Sequence, residues 1–154
     1  MDQPKIKILY VDDEVNNLLA FKALFRREYD IQTAVSAAEG RALLKENTFH
    51  VILTDQRMPE ITGVEFLESI IPEYPDPLRI LITGYTDIQA VISAINKGQV
   101  FRYITKPWEE QELKMAIENA YEMYSLRQAN RELTEKLLAA NEQLDFMLRQ
   151  KLLS

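Results

Sequence analysis

His50–Pro59 reads HVILTDQRMP. Its first half, His50 to Thr54, has the near-continuous apolar character of a strand buried on both faces. Such a strand ordinarily ends in a turn. This one carries a carboxylate, Asp55, to its carboxyl tip, with Pro59 four residues later. Aspartate is a common turn former, so the rest of the chain has to decide what this one does.

Working outward, the same kind of run recurs at Ile6–Val11, Asp30–Val35, Leu78–Thr83 and Val100–Thr105. Between the runs lie amphipathic helical patterns at 14–28, 37–47, 63–71 and 87–97. Three of these helices open with the spacing of a capping box, Ser36 with Glu39, Thr62 with Glu65 and Thr86 with Gln89, in which a hydroxyl and a Glu or Gln satisfy orphan backbone donors. Gly98 suits a left-handed stop after the fourth helix, and Pro72, Pro75 and Pro77 close the third. Strict alternation of strand and helix with apolar strands implies a parallel sheet covered on both sides. The expected fold is α/β, a doubly wound five-stranded parallel sheet of order 2-1-3-4-5.

Composition removes several function classes. The 154 residues are 47% hydrophobic and 27% charged, enough for a packed core. A net charge of −6 disfavours direct binding of nucleic acid or of an anionic membrane by this segment. With no cysteine there are no disulfides, thiolate nucleophiles or cysteine-ligated metals. The first residues lack the apolar core of a signal peptide, and no apolar run is long enough to span a bilayer, so a cytoplasmic location is expected.

From Glu109 onward the composition changes. No glycine or proline follows Pro107, and Leu, Ala, Glu, Gln and Arg dominate, all good helix formers. The expected division is a domain over 4–120 and a helical extension over 121–154. Leu113, Ile117 and Ala120 should pack on the sheet and the remainder should project. Met123, Asn130, Leu137, Leu144 and Lys151 at a positions, with Leu126, Leu133, Ala140 and Met147 at d, keep the 4–3 spacing of a coiled coil, with Ala140 and Lys151 the weak points of the seam. A lone Asn at an a position suits a parallel dimer, because two facing amides pair there in register. Leu148, Leu152 and Leu153 continue the apolar pattern to the end, as expected of a piece of a longer chain.

The strands share a chemical theme at their carboxyl ends. The first leads to Asp12, Asp13 and Glu14, the third to Asp55, the fourth to Thr83 and Gly84, and the fifth to Lys106 and Pro107. In an open α/β sheet those ends form one edge, where ligands bind. With order 2-1-3-4-5 the first and third strands are neighbours, so Asp12, Asp13 and Asp55 fall together. Clustered carboxylates repel by about 1 to 4 kcal/mol per pair at 4 Å, a cost that a hard cation such as Mg²⁺ offsets. A carboxylate beside Mg²⁺ is a competent nucleophile toward a phosphoryl group, with Thr83 and Lys106 placed to hold its oxygens.

These pieces resemble a known family, the receiver domains of two-component response regulators, whose flavodoxin-like fold is that of the chemotaxis regulator. The resemblance rests on LYVDDE at 9–14, LTDQRMPEITGVEFL at 53–67, LITGYTD at 81–87 and FRYITKPW at 101–108, and covers about residues 4–120. It implies that Asp55 is the phospho-acceptor, charged by a histidine kinase or phosphotransfer protein. It implies Mg²⁺ held by Asp13, Asp55 and the Arg57 backbone carbonyl, with Asp12 acting through water. Thr83 and Lys106 would contact the phosphoryl group, and Thr83 and Tyr103 would switch the surface of the fourth helix, fifth strand and fifth helix. Arg57, Gly84 and Tyr85 border the site and should tune loss of the phosphoryl group. TDQRMP with YITKPW is most like receivers joined to output modules such as cyclic-nucleotide enzymes or AAA-type transcription activators.

Two other classes fit these residues less well. A phosphohydrolase of the aspartyl-phosphate type needs an acid two residues after its nucleophile, where this chain has Arg57. The single histidine, His50, sits at a strand start rather than on the helix face a histidine phosphocarrier needs. The chain is therefore expected to receive a phosphoryl group without being an enzyme, its slow self-dephosphorylation aside. A dimerising scaffold that never takes phosphate is the remaining alternative.

Overall fold

The computed structural model describes residues 4–84 and 88–153. Ten elements alternate along the chain: β1 (Ile6–Val11), α1 (Val15–Phe25), β2 (Tyr29–Ala34), α2 (Ala37–Glu46), β3 (Val51–Asp55), α3 (Gly63–Ile70), β4 (Leu78–Thr83), α4 (Ile88–Asn96), β5 (Arg102–Thr105) and α5 (Glu110–Leu153). The strands form one sheet of order β2-β1-β3-β4-β5, and every pairing is parallel. This is the expected architecture.

Alternate residues of each central strand feed opposite cores, as the two-residue period of a strand requires. Ile8, Tyr10, Val51, Leu53, Ile80 and Ile82 pack with Leu18, Phe21 and Phe25 of α1 and Leu113, Ala116, Ile117 and Ala120 of α5. Leu9, Val11, Ile52 and Leu81 pack with Leu44 of α2, Val64, Phe66 and Leu67 of α3, and Val91 and Ala94 of α4. Full burial of β3 and β4 explains their continuous apolar runs.

The boundaries differ from expectation in small, explicable ways. α1 ends at Phe25 because Tyr29 turns inward, its ring 5.6 Å from that of Phe25, and begins the ladder opposite Ile6. β2 stops before Val35, whose N–H donates to the Glu39 carboxylate at 2.7 Å. β5 starts at Arg102 because the Val100 N–H still points back to the Ala94 carbonyl. Gly98 takes the left-handed conformation at φ 74°.

Thr62 and Glu65 make the full reciprocal capping box. At α2 the Ser36 hydroxyl accepts from the Glu39 N–H, while the Glu39 carboxylate reaches one residue further back than the motif implies, to Val35. The box expected at Thr86 and Gln89 involves a residue outside those described.

α5 starts beside the carboxyl edge of the sheet and runs back across it. At the opposite edge the ring of His50 meets those of Tyr121 and Tyr124 edge-on, at 5.0 and 4.9 Å. Met123, the first residue of the expected seam, is half-buried against the body. From Ala129 to Leu153 every residue is exposed. Leu126, Leu133, Leu137, Leu144 and Met147 all stand at more than half their full exposure, with Asn130 and Ala140 on the same stripe also exposed. No described helix is long and apolar enough to cross a membrane.

Candidate functional site: an acidic pocket at the carboxyl edge

Parallel register sets the site. Val11 lies opposite Thr54, Asp55 opposite Ile82, and Thr83 opposite Thr105, so β1, β3, β4 and β5 end nearly level. Asp12, Asp13 and Asp55 each bring a carboxylate oxygen within 4.8 Å of the others. Lys106 crosses from the end of β5 to make an ion pair with Asp55, and its N–H donates to the Thr83 carbonyl at 2.9 Å. The Lys106–Pro107 peptide bond is cis. Thr83 is buried, its hydroxyl donating to the Gly84 carbonyl at 3.1 Å.

The three acids are held differently. Asp13 faces solvent. Asp12 is fully buried, and its carboxylate accepts from the Tyr10 hydroxyl at 2.9 Å, the Glu14 N–H at 2.9 Å and the Asn17 amide at 3.0 Å. Burial raises the Asp55 carboxyl above its usual range; Lys106 opposes this and Asp12 and Asp13 reinforce it. For Lys106, burial works against the charge, but the hydrogen bond and charge of Asp55, with Asp12 and Glu14 behind them, hold the ammonium above its usual value. Burial, then Asp12, also pushes the Tyr10 phenol upward. The donor set is three carboxylates on one rim, all hard oxygen, which fits Mg²⁺ and not a soft metal.

Gln56 in the opening stretch and Gly63 just beyond it carry a role that sequence reasoning missed. Gln56 is buried, and its side-chain oxygen accepts from the Val64 N–H at 2.9 Å while its carbonyl accepts from the Gly63 N–H at 2.9 Å. A Cβ on Gly63 would overlap the Asp55 carbonyl oxygen and press on Leu81 at 2.8 Å. The end of β3 and the start of α3 are therefore clasped together, which fixes the backbone beneath Asp55. The loop between them passes through Glu60 at φ 73°. Pro59 contributes a carbonyl to the Ile61 N–H at 2.8 Å.

Arg57 is exposed in that loop, Gly84 is half-buried, and Tyr103 is exposed on β5. Tyr85, also expected to border the site, lies outside the described residues.

A five-stranded parallel sheet with acids after β1, an acid closing β3, a hydroxyl closing β4 and a lysine after β5 defines a response-regulator receiver. The family model for the response regulator receiver domain matches residues 8–118, and the chain belongs to that family. The hydrogenase transcriptional regulatory protein HoxA of Cupriavidus necator is 39% identical over 127 residues, 82% of this chain and 26% of that protein. HoxA of Bradyrhizobium diazoefficiens is 36% identical over 120 residues, 78% of this chain and 25% of that protein. The chain thus spans about a quarter of the length of these curated relatives. Among solved structures, the adenylate cyclase from Rhodopirellula baltica matches with a TM-score of 0.83 at 32% identity, covering 86% of this chain and 98% of that one. A response regulator receiver domain protein from Clostridium thermocellum gives 0.74 at 35% identity, covering 79% and 98%.

Proposed function

We propose that this chain is a phospho-accepting receiver and that Asp55 takes its phosphoryl group from a histidine kinase or phosphotransfer protein. The observation that carries this reading is the convergence of Asp12, Asp13 and Asp55 within 4.8 Å, with Lys106 already paired to Asp55. An Asp55 oxygen forms the new O–P bond as the P–N bond of the partner's phosphohistidine breaks, and the imidazole nitrogen leaves with the bonding pair. Lys106 follows the incoming charge, exchanging its carboxylate contact for a phosphoryl oxygen. Thr83 supplies a hydroxyl on the neighbouring strand. Asp12, Asp13, Asp55 and the Arg57 carbonyl would hold Mg²⁺, which supplies charge neutralisation for the transferring oxygens. In this reading Arg57, Gly84 and Tyr85 set how long the aspartyl phosphate lasts.

The switch in this reading is the pair Thr83 and Tyr103, which reshapes the α4-β5-α5 surface when the −1 carboxylate of Asp55 becomes an acyl phosphate carrying about −1.5 to −2. The exposed stripe of α5 would pair with a second copy as a parallel coiled coil and pass the change to an output module in the cytoplasm. HoxA, as a transcriptional regulatory protein, supports an output that acts on transcription. The same stripe favours the second reading, a dimerising scaffold that takes no phosphate.

Incubation with Mg²⁺ and acetyl phosphate, followed by intact mass measurement, separates the two. One added phosphoryl group, lost in Asp55→Asn, supports the acceptor. An unmodified wild-type chain under conditions that label other receivers leaves only the scaffold.

A further inference from the structure

Tyr10 is fully buried in β1, where an apolar side chain would serve the core equally well. Its ring meets Phe21 edge-on at 5.1 Å, and phenylalanine could make the same contact. What phenylalanine could not supply is the hydroxyl. A buried hydroxyl is costly unless bonded, and this one donates to Asp12 Oδ2 at 2.9 Å. Its bond therefore leaves the core and enters the acidic pocket.

The count of acceptor sites on Asp12 shows what that bond does. A carboxylate offers about four lone-pair positions. Oδ2 takes the Tyr10 hydroxyl and the Asn17 amide at 2.9 and 3.0 Å, and Oδ1 takes the Glu14 N–H at 2.9 Å. The three donors come from the strand core, from α1 and from the backbone between them, so they fix the carboxylate plane. One acceptor position is left, on Oδ1. Asp12 is a group with its orientation set and capacity for a single further ligand.

We propose that Tyr10 is a positioning residue for the acidic pocket: by holding Asp12 Oδ2 from below, it sets the Mg²⁺ concentration at which the pocket fills. The inference rests on the reading of the pocket as an Mg²⁺-dependent phosphoryl site. Without the hydroxyl, Asp12 is held by two donors instead of three and its carboxylate can turn away from Asp13 and Asp55, so Mg²⁺ must then bring it back into place. Supporting hydrogen bonds of this kind typically alter metal affinity by tenfold or more.

The test is calorimetric titration with Mg²⁺ of wild type, Tyr10→Phe, Asn17→Ala and Phe21→Leu, all without phosphodonor. Tyr10→Phe should raise the dissociation constant by about tenfold. Asn17→Ala removes the second donor to the same oxygen from a half-exposed position and should shift it the same way, which keeps the test open if Tyr10→Phe folds poorly. Phe21→Leu perturbs the packing around Tyr10 and should cost stability while leaving Mg²⁺ affinity unchanged. Labelling rates with acetyl phosphate should show the same division, a higher Mg²⁺ concentration for half-maximal rate in Tyr10→Phe and an unchanged plateau. Wild-type affinity in Tyr10→Phe, or an equal shift in Phe21→Leu, overturns the proposal. A wild-type protein that binds no Mg²⁺ overturns the reading of the pocket itself, and this inference with it.

Discussion

Arg131, on the exposed part of α5, grips Asp76 with two hydrogen bonds of 3.0 and 3.4 Å across a sequence separation of 55 residues. Asp76 sits in the loop between α3 and β4, so the projecting helix is tied to the body beyond the last residue that packs on the sheet. Arg131 follows Asn130 by one position, about 100° further around the helix, which places the tether and the apolar stripe on different sides. Arg131→Ala should therefore accelerate amide exchange between Tyr124 and Arg131 without altering the association state. Exchange rates equal to wild type, or loss of a dimer seen in wild type by ultracentrifugation, would contradict this.

The loop that presents Asp76 is itself held from within. Arg79 is buried, and its guanidinium donates to the carbonyls of Pro77 at 3.0 Å, Pro75 at 3.4 Å, Gly98 at 3.2 Å and Gln99 at 2.7 Å. The cation thus fastens the residues on both sides of Asp76 to the turn after α4. Arg79→Met keeps most of the volume and strands these acceptors, at a cost of about 2–4 kcal/mol. Urea unfolding measures it, and a loss below about 1 kcal/mol would show that water replaces the guanidinium.

Two glycines beside the pocket make opposite demands. A methyl group at Gly63 collides with the Asp55 backbone and with Leu81, whereas one at Gly84 meets nothing within 4 Å among the described residues. Gly63→Ala should lose about 1–3 kcal/mol of stability and disturb the pocket. Gly84→Ala should stay within about 0.5 kcal/mol of wild type and change only the lifetime of the aspartyl phosphate. Thermal unfolding of both variants decides the first statement, and decay of the labelled form the second.

Like charges in the pocket store repulsion until a cation enters. Asp13→Asn removes one charge from the exposed rim without touching the Lys106–Asp55 pair. In chelator it should stabilise the fold by about 1 kcal/mol, the size of one like-charged pair at 4 Å in water. Mg²⁺ at ten times its dissociation constant should stabilise wild type by about 1.4 kcal/mol and the variant by much less. Equal Mg²⁺ responses in thermal unfolding would remove Asp13 from the cation site.

His50 links stability to pH at the opposite edge of the sheet. Its Nδ1 accepts from the Lys7 N–H at 2.9 Å, and burial followed by the Lys7 charge lowers its pKa below the ordinary 6.5. The folded state then binds a proton less readily than the unfolded chain. Its contribution is complete above about pH 6.5 and is lost as pH falls through the unfolded value toward the lower folded one. His50→Gln, which keeps an acceptor but cannot titrate, should flatten the fall in stability between about pH 7 and 5. Parallel pH profiles for the two proteins would refute the assignment.

The sheet order and the pocket were legible in the sequence because both follow from local pattern. Alternating runs and capping residues specify elements, and parallel topology alone brings Asp12, Asp13, Asp55, Thr83 and Lys106 to one rim. What escaped is what tertiary contact creates. Tyr10 fits the core period of β1, so nothing in the pattern marks its hydroxyl as part of the pocket. Gln56 and Gly63 look like ordinary loop residues until the loop closes on itself. Arg79 did leave a signal, a cation inside the buried run LRILIT, which is rare without specific partners. The pairing of Arg131 with Asp76 left none, since two exposed charges far apart in sequence match countless others.

α5 leaves the body at the edge opposite Asp55, and it does so as one unbroken rod. Residues 121–153 extend about 50 Å at 1.5 Å per residue. A tilt of only about 5° where Tyr121 and Tyr124 meet His50 would sweep the far end through roughly 4 Å, on the scale of one helical turn. The helix is thus a lever arm: a displacement too small to disturb the packing of the sheet becomes, at the tip, a movement as large as a side chain.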